Sequence, residues 1–216
     1  MTESAFETRL VVRLRDLGLD VPDGRVRKLT HYFDLLKKWS SRVNLTGFDL
    51  DALPAQAIDR LFVEPVAASF ELAGTTSLVD VGSGAGSPAI PLAVMLEGVE
   101  LVMIEPRLKK SIFLREAVRE LGIRGAVLST RVEDAVGDPR MLERFDSASI
   151  RAVKLSRSIL ECVARLVRMD GRVVLFSGQS SQPDQATMPP TLTHAGTVPL
   201  IRAQGSELVV LRKVAP

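Results

Sequence analysis

The segment Asp80-Val81-Gly82-Ser83-Gly84-Ala85-Gly86 constrains this chain more than any other. It continues a short apolar run that begins at Leu78, and it leads into Ile90-Pro91-Leu92-Ala93, a helical pattern. Glycines at alternate positions let a backbone turn tightly and approach a ligand without a Cβ in the way. A strand that hands such a turn to a helix points to an open α/β sheet. In such sheets ligands sit beyond the carboxyl ends of the strands.

The remaining pattern agrees. From Ser77 onward, apolar strands alternate with helices: Leu78–Val81, a helix over Pro88–Leu96, Leu101–Ile104, a helix over Lys109–Leu121, then Ala126–Leu128 and Phe145–Ile150. In the Lys109–Leu121 helix, Ile112, Phe113, Val118 and Leu121 are expected to face inward, and Gly122 closes it. A helix over Leu155–Arg168 and a turn at Asp170-Gly171 lead into Arg172–Phe176, and Val198–Ile201 and Leu208–Leu211 read as antiparallel edge strands. Continuous apolar strands imply a largely parallel sheet covered on both faces. Before Ser77 the period is helical. Phe6, Leu10, Leu14 and Leu17 make one face, Leu29, Phe33, Leu36, Trp39 and Val43 a second, and Leu53–Leu72 a third, weaker helix. The expected fold is α/β and Rossmann-like, a mainly parallel seven-stranded sheet with an N-terminal helical extension. The expected division is residues 1–73 and 74–216, at the Gly74-Thr75-Thr76 boundary.

The glycine spacing bears on the ligand. A dinucleotide turn wants glycines at its first, third and sixth positions. Here they stand at the first, third and fifth, and Ser87 takes the sixth. Asp80, just before the turn, would repel a pyrophosphate but suits a cationic amino group. S-adenosylmethionine carries an ammonium and a sulfonium and no phosphate, so it fits the turn of Gly82, Gly84 and Gly86 better. Glu105 ends the second strand, where a carboxylate can accept both ribose hydroxyls, a role that NAD sites also use. After the third strand, Val132 is placed to cover an adenine ring, and Glu133 to meet its polar edge. Such a ligand makes the domain a class I methyltransferase.

Other chemistries lose support. The lone cysteine, Cys162, lies in an apolar helical pattern, so neither an intramolecular disulfide nor a paired-cysteine metal site is available. No metal is expected. His31 and His194 are the only histidines, and neither lies in a cofactor motif. There is no Asn-Pro-Pro-aromatic segment after the fourth strand, which argues against methylation of an exocyclic amine. No basic-then-apolar leader or apolar run of about 18 residues is present, so a cytoplasmic protein is expected; a monomer is expected as well. Residues 1–73 hold 10 Lys/Arg against 11 Asp/Glu, whereas residues 105–172 hold 15 against 10. That local excess attracts phosphate if it lies on one surface, and is otherwise an ordinary solvated face. Lys109, Lys110, Arg115 and Arg119 are the phosphate candidates, although Lys109 and Arg115 do not share a helix face. Arg151 follows the fourth strand on the ligand side. It is the candidate catalytic residue, suited to pin a phosphate, a guanine edge or the cofactor carboxylate, or else paired with Asp146 or Glu133.

Several segments together resemble the RsmG (GidB) family of bacterial methyltransferases, over about residues 29 to 178. They are Lys38-Trp39-Ser40 with Asn44-Leu45-Thr46, the cofactor loop through Pro88 and its continuation Ile90–Ala93, Lys109–Arg115, Arg131-Val132-Glu133-Asp134, and Arg151-Ala152-Val153. The resemblance implies methylation of guanine N7 in 16S ribosomal RNA of the small subunit, with S-adenosylmethionine as methyl donor. It implies cofactor contacts from Gly82, Ser87, Val132 and Glu133, with Arg151 nearby, and RNA docking by the helical N-terminal part and the basic face. The chain also departs from that family. Asp59–Pro65 replaces a His-…-Asp-Ser segment, and Ser87 replaces a bulky apolar residue. Ala89 replaces glycine, Glu105 an aspartate, and Phe176-Ser177-Gly178 a Leu-Lys-Gly. A diverged paralogue with another substrate, or a module that keeps the fold without catalysis, are the alternatives these departures motivate.

Overall fold

Alternation within each strand sorts the core into two layers, one on each face of the sheet. The computed structural model describes residues 5–178 and 186–215. Its helices are α1 (Ala5–Asp16), α2 (Asp23–Ser40), α3 (Ala55–Ile58), α4 (Glu64–Ser69), α5 (Ala89–Met95), α6 (Leu108–Glu120), α7 (Val132–Ala135) and α8 (Arg157–Leu166). Its strands are β1 (Ser77–Val81), β2 (Glu100–Ile104), β3 (Gly125–Leu128), β4 (Phe145–Arg151), β5 (Val167–Gly178), β6 (Leu192–Ile201) and β7 (Ser206–Lys213). They form one sheet in the order β3-β2-β1-β4-β5-β7-β6. β1 to β5 run parallel, β7 pairs antiparallel with β5, and β6 pairs antiparallel with β7. This is the Rossmann-like methyltransferase architecture expected.

Because successive side chains of a strand point to opposite faces, Leu78, Leu101, Met103, Val174 and Leu208 join one hydrophobic cluster. Their neighbours Val79, Val81, Val102, Ile104, Ala148, Val173 and Val209 join the other. The first cluster is covered by the N-terminal helices, α5 and α6. Phe6 stacks on Phe33 at 4.1 Å between centroids and meets Phe62 edge-on at 4.8 Å, so α1, α2 and the segment before α4 share one aromatic knot. The second cluster is covered by α7 and α8. The strand order reverses between β1 and β4, and the switch point opens at their carboxyl ends.

Four expectations are corrected. The third N-terminal helix is broken: it starts at Ala55 and is interrupted by a π-helical turn at Asp59–Val63 before α4. Ile112 faces solvent at 45% exposure, because Phe113 and Leu114 take the inward positions of α6. α8 ends at Leu166, and Val167–Asp170 begin β5; the register of β5 on β4 shifts across residues 168–171, which include Asp170 and Gly171. The Gly171 Cα faces Val167 Cγ1 and backbone oxygens so closely that a Cβ would meet them at 2.2 to 2.9 Å. Finally, β6 lies at the sheet edge but β7 does not, since it is held between β5 and β6.

Candidate cofactor and substrate site

Three residues of the glycine turn have left-handed backbones. Gly82, Gly84 and Gly86 have φ of +73°, +56° and +90°, where side chains are rarely tolerated. Contacts add to this at two of them. A Cβ on Gly82 would stand 2.5 Å from Val153 Cγ2, and one on Gly86 would stand 2.6 Å from Ile90 Cδ1 and 3.0 Å from Leu114 Cδ2. Gly86 is therefore required by packing against α5 and α6. Gly84 has open space, since its Cβ would meet nothing nearer than 3.7 Å.

The turn forms the floor of a cavity of about 440 Å³ at the carboxyl ends of β1, β2 and β4. Its wall holds Gly82, Ser83, Gly84, Ala85 and Ser87 from the turn, and Glu105, Pro106, Arg107 and Lys110 from the end of β2 and the start of α6. Arg151, Ala152 and Val153 follow β4, and Leu45, Thr46, Phe48, Arg60 and Leu61 come from the N-terminal segment. Four cations, Arg60, Arg107, Lys110 and Arg151, thus face one carboxylate, Glu105. Such a cavity accepts a ligand with hydroxyl and carboxylate groups and a substrate carrying phosphate.

Glu105 is 4% exposed. Its Oε2 accepts the Gly84 N–H at 2.8 Å, and its Oε1 accepts the Arg107 N–H at 2.9 Å. It fixes the glycine turn to the start of α6. An ionised carboxylate has about four acceptor sites, so these two bonds leave capacity for ribose hydroxyls. Asp80 lies differently from its expected place. It is 1% exposed, beneath the turn rather than on the cavity wall, and accepts the Ser149 Oγ–H at 2.5 Å. Burial lifts its carboxyl to about 6, against the opposing pull of Ser149, Ser83 and Arg151.

Arg151 is buried, with neither Asp146 nor Glu133 as its partner. Asp146 is engaged by Arg168 at 2.7 Å and by the Thr76 and Ser77 amides at the opposite end of β4. Arg151 Nη1 instead donates to the Arg60 carbonyl and, at 3.4 Å, to Glu64 Oε2; Nη2 reaches Ser87 Oγ at 3.4 Å. The guanidinium stands 4.7 Å from the centre of the Phe176 ring, and its buried Nε has no hydrogen-bond partner among the described residues. Burial lowers its pKa to about 10, with Glu64 opposing the fall. Burial likewise raises the Glu64 carboxyl, opposed by Arg151 and Arg60. Ser87 Oγ also donates to the Leu61 carbonyl at 2.8 Å, so it ties the turn to the π-helical segment.

The structure therefore brings Gly82, Gly84, Ser87, Glu105 and Arg151 together on one cavity, with Asp80 and Gly86 supporting it from behind. Val132 and Glu133 begin α7 outside this wall. Val132 is buried in the second hydrophobic cluster and Glu133 is exposed. Two residues that hold the site escaped the sequence reading. Glu64 sits where no carboxylate was expected, because the π-helical turn adds a residue and rotates α4; a π-bulge leaves no periodic signal in a sequence. Tyr32, fully buried in α2, donates its hydroxyl to the Ala85 carbonyl at 2.7 Å. Its apolar helical spacing resembles any core position. Trp39, in the Lys-Trp segment, is structural: its Nε1 donates to Glu116 at 3.1 Å and its ring packs on Phe113 at 5.9 Å.

Comparison with known proteins adds to this geometry. A family model described as rRNA small subunit methyltransferase G matches residues 25–204. The chain is similar to the Ribosomal RNA small subunit methyltransferase G of a Synechococcus species, at 32% identity over 87% of this chain and 76% of that one. It is also similar to those of Roseiflexus, at 29% over 94% and 89%, and of Clostridium perfringens, at 30% over 75% and 68%. Among solved structures, the tRNA methyltransferase TrmI from Aquifex aeolicus superposes with a TM-score of 0.55 at 14% identity, over 71% of this chain and 69% of that one. Geranyl diphosphate methyltransferase, solved with sinefungin, superposes with a TM-score of 0.51 at 15% identity over 64% and 71%.

Proposed function

Since the chain belongs to the rRNA small subunit methyltransferase G (GidB) family, we propose that it is a cytoplasmic enzyme transferring a methyl group from S-adenosylmethionine to N7 of a guanine in 16S ribosomal RNA. The observation that carries the reading is the cavity at the switch point, where a glycine turn and one carboxylate lie beside four cations. The residues fit the cofactor. Gly84 leaves open space toward the cavity, Glu105 keeps free acceptor capacity for a ribose, and Asp80 is a buried anion under the turn. Gly82, Gly86 and Ser87 shape the same turn. Val132 and Glu133 are assigned to the adenine side, as residues that border the sheet end rather than the cavity itself.

The cofactor supplies an electrophilic methyl group on a sulfonium. Guanine N7 has a lone pair and no proton, so the protein needs no general base. It needs to hold the base in line, and orientation alone can account for a large share of such a rate. Neither histidine competes for a role: His31 is exposed on α2, and His194 on β6 is engaged with Thr197. Arg60, Arg107 and Lys110 are positioned to neutralise phosphates of the target strand. Arg151, held by Glu64 and against Phe176, lines the cavity and is the residue assigned to the cofactor carboxylate or the guanine edge. On this reading residues 74–216 are the catalytic domain. Residues 1–73 form the substrate-side extension, with Leu45, Thr46 and Phe48 on the cavity wall.

The experiment is methyl transfer from labelled S-adenosylmethionine to 16S RNA and 30S particles, followed by chemical cleavage at N7-methylguanine. Label in a single guanine of 16S RNA supports the reading. Label in another base or only in a small molecule overturns the target, and no binding of S-adenosylmethionine in calorimetry overturns the enzyme.

A further inference from the structure

The end of the sheet remote from the cofactor cavity carries a second cationic surface. One groove of about 380 Å³ runs between α6 and the edge strand β3, lined by Arg115 and Arg119. Another of about 510 Å³ lies at the start of α2 and the amino end of the sheet, lined by Arg25, Lys28 and Arg124. Both include Gly122 and Ile123, so they adjoin at that turn and together form a trough. Among the described residues, five cations line it against one acid, Glu97. Glu97 lies 3.7 Å from Arg25 and its side chain is 93% exposed, and Glu120 occupies Arg119 at 2.8 Å. Exposed pairs of this kind are weak and yield readily to a competing phosphate. Lys28 and Arg124 are exposed and make no ion pair among the described residues.

α6 connects this trough to the cavity. Leu108, at its start, adjoins Arg107 and Lys110 of the cavity, whereas Glu120, at its end, adjoins Gly122 of the trough. Thirteen residues at 1.5 Å each span about 20 Å. A strand of helical nucleic acid carries one phosphate per 3.4 Å, so about six phosphates cover that distance. From the two connected grooves and their charge we propose that the trough is a second RNA-backbone site. It would hold phosphates roughly one α6-length from the methylated base, with Lys28 and Arg124 as its principal contacts. The inference rests on the 16S RNA reading above and extends it from the reacting base to the flanking strand.

The test compares the full-length protein with Lys28→Glu/Arg124→Glu and with the milder Lys28→Gln/Arg124→Gln, using naked 16S RNA and 30S particles as substrates. Both pairs lie on the surface, and an unchanged calorimetric affinity for S-adenosylmethionine verifies folding. The expected result is a KM for RNA raised roughly tenfold by the reversal and less by the neutral pair. The salt slope of RNA binding is expected to fall by about 2, one per lost contact. Arg9→Glu on α1, outside the trough, changes the net charge by as much as the neutral pair and is its control. Unchanged KM and slope in the charge-reversed protein, with the wild type active on RNA, would sink the trough while sparing the function. An equal effect of Arg9→Glu would also overturn the site, as would a loss seen only with 30S particles, which would make the partner a ribosomal protein. A wild type that labels neither substrate overturns the function and this extension together.

Discussion

Tyr32→Phe tests whether the N-terminal extension shapes the cofactor turn. The hydroxyl is the only group removed, and the ring stays packed on Phe62 at 5.5 Å, so any void is no larger than that hydroxyl. What is lost is one 2.7 Å hydrogen bond to the Ala85 carbonyl. Ala85 is half-buried on the cavity wall, so water can replace the donor. The loss should then lie near the net value of one bond, about 1 kcal/mol, rather than the larger penalty of an orphaned buried carbonyl. For a chain of this length that lowers Tm by about 2–4 °C. If the bond also holds the turn in its binding shape, about 1 kcal/mol weakens S-adenosylmethionine binding by roughly fivefold. Differential scanning calorimetry gives the first quantity and titration calorimetry the second. A lower Tm with unchanged Kd would refute the positioning role and leave a structural bond. No change in either would refute the contact itself.

Three further outcomes follow from the site. Glu64→Gln removes the nearest counter-charge of the buried Arg151 guanidinium, which costs about 3–5 kcal/mol in such pairs; Tm should drop by roughly 10 °C, and Glu64→Gln/Arg151→Met should recover much of it. A single variant melting like the wild type would show that the pair, at 3.4 Å, is not coupled. Gly84→Val and Gly86→Val should both lower Tm, since each strains a left-handed backbone, but they should separate in degree: the first adds bulk beside the cavity and lowers cofactor affinity more, whereas the second also strikes Ile90 and Leu114 and lowers Tm more. The reverse ranking would contradict the geometry. Asp80 has a folded pKa of about 6 against an ordinary 3.8. Its contribution to apo stability is therefore fully present below 3.8 and lost as pH rises through 6. Asp80→Asn keeps an acceptor for Ser149 and should gain on the wild type between pH 4 and 7, by about 3 kcal/mol at most; parallel stability curves across that range would exclude the buried titration.

Much of the fold was legible because the period of apolar residues changes with the element. Leu78, Leu101 and their neighbours read as buried parallel strands, and Phe6, Leu10 and Leu14 as one helix face, and the structure buries all of them. The errors arose where period is uninformative. Ile112 and Phe113 are adjacent apolar residues, and only packing selects which faces the core. β7 and β6 are both short apolar runs, and which one lies inside the sheet depends on long-range pairing. The π-helical turn at Asp59–Val63 adds one residue without altering composition, so the sequence presents Glu64 as a departure, whereas the fold delivers it to Arg151.

The glycine turn marks the division between the two kinds of information. That Gly82, Gly84 and Gly86 form a ligand turn followed from the sequence, because only glycine accepts those backbones without strain. Which of them faces the cavity, and what holds the turn, was decided by tertiary contacts across large separations. Tyr32 reaches Ala85 from 53 residues away, Glu105 reaches Gly84 from 21, and Ser149 reaches Asp80 from 69. A local pattern records the conformations a segment tolerates. It does not record which distant donor satisfies a buried carbonyl or carboxylate, because each such partner is chosen by the folded geometry and leaves no periodic trace.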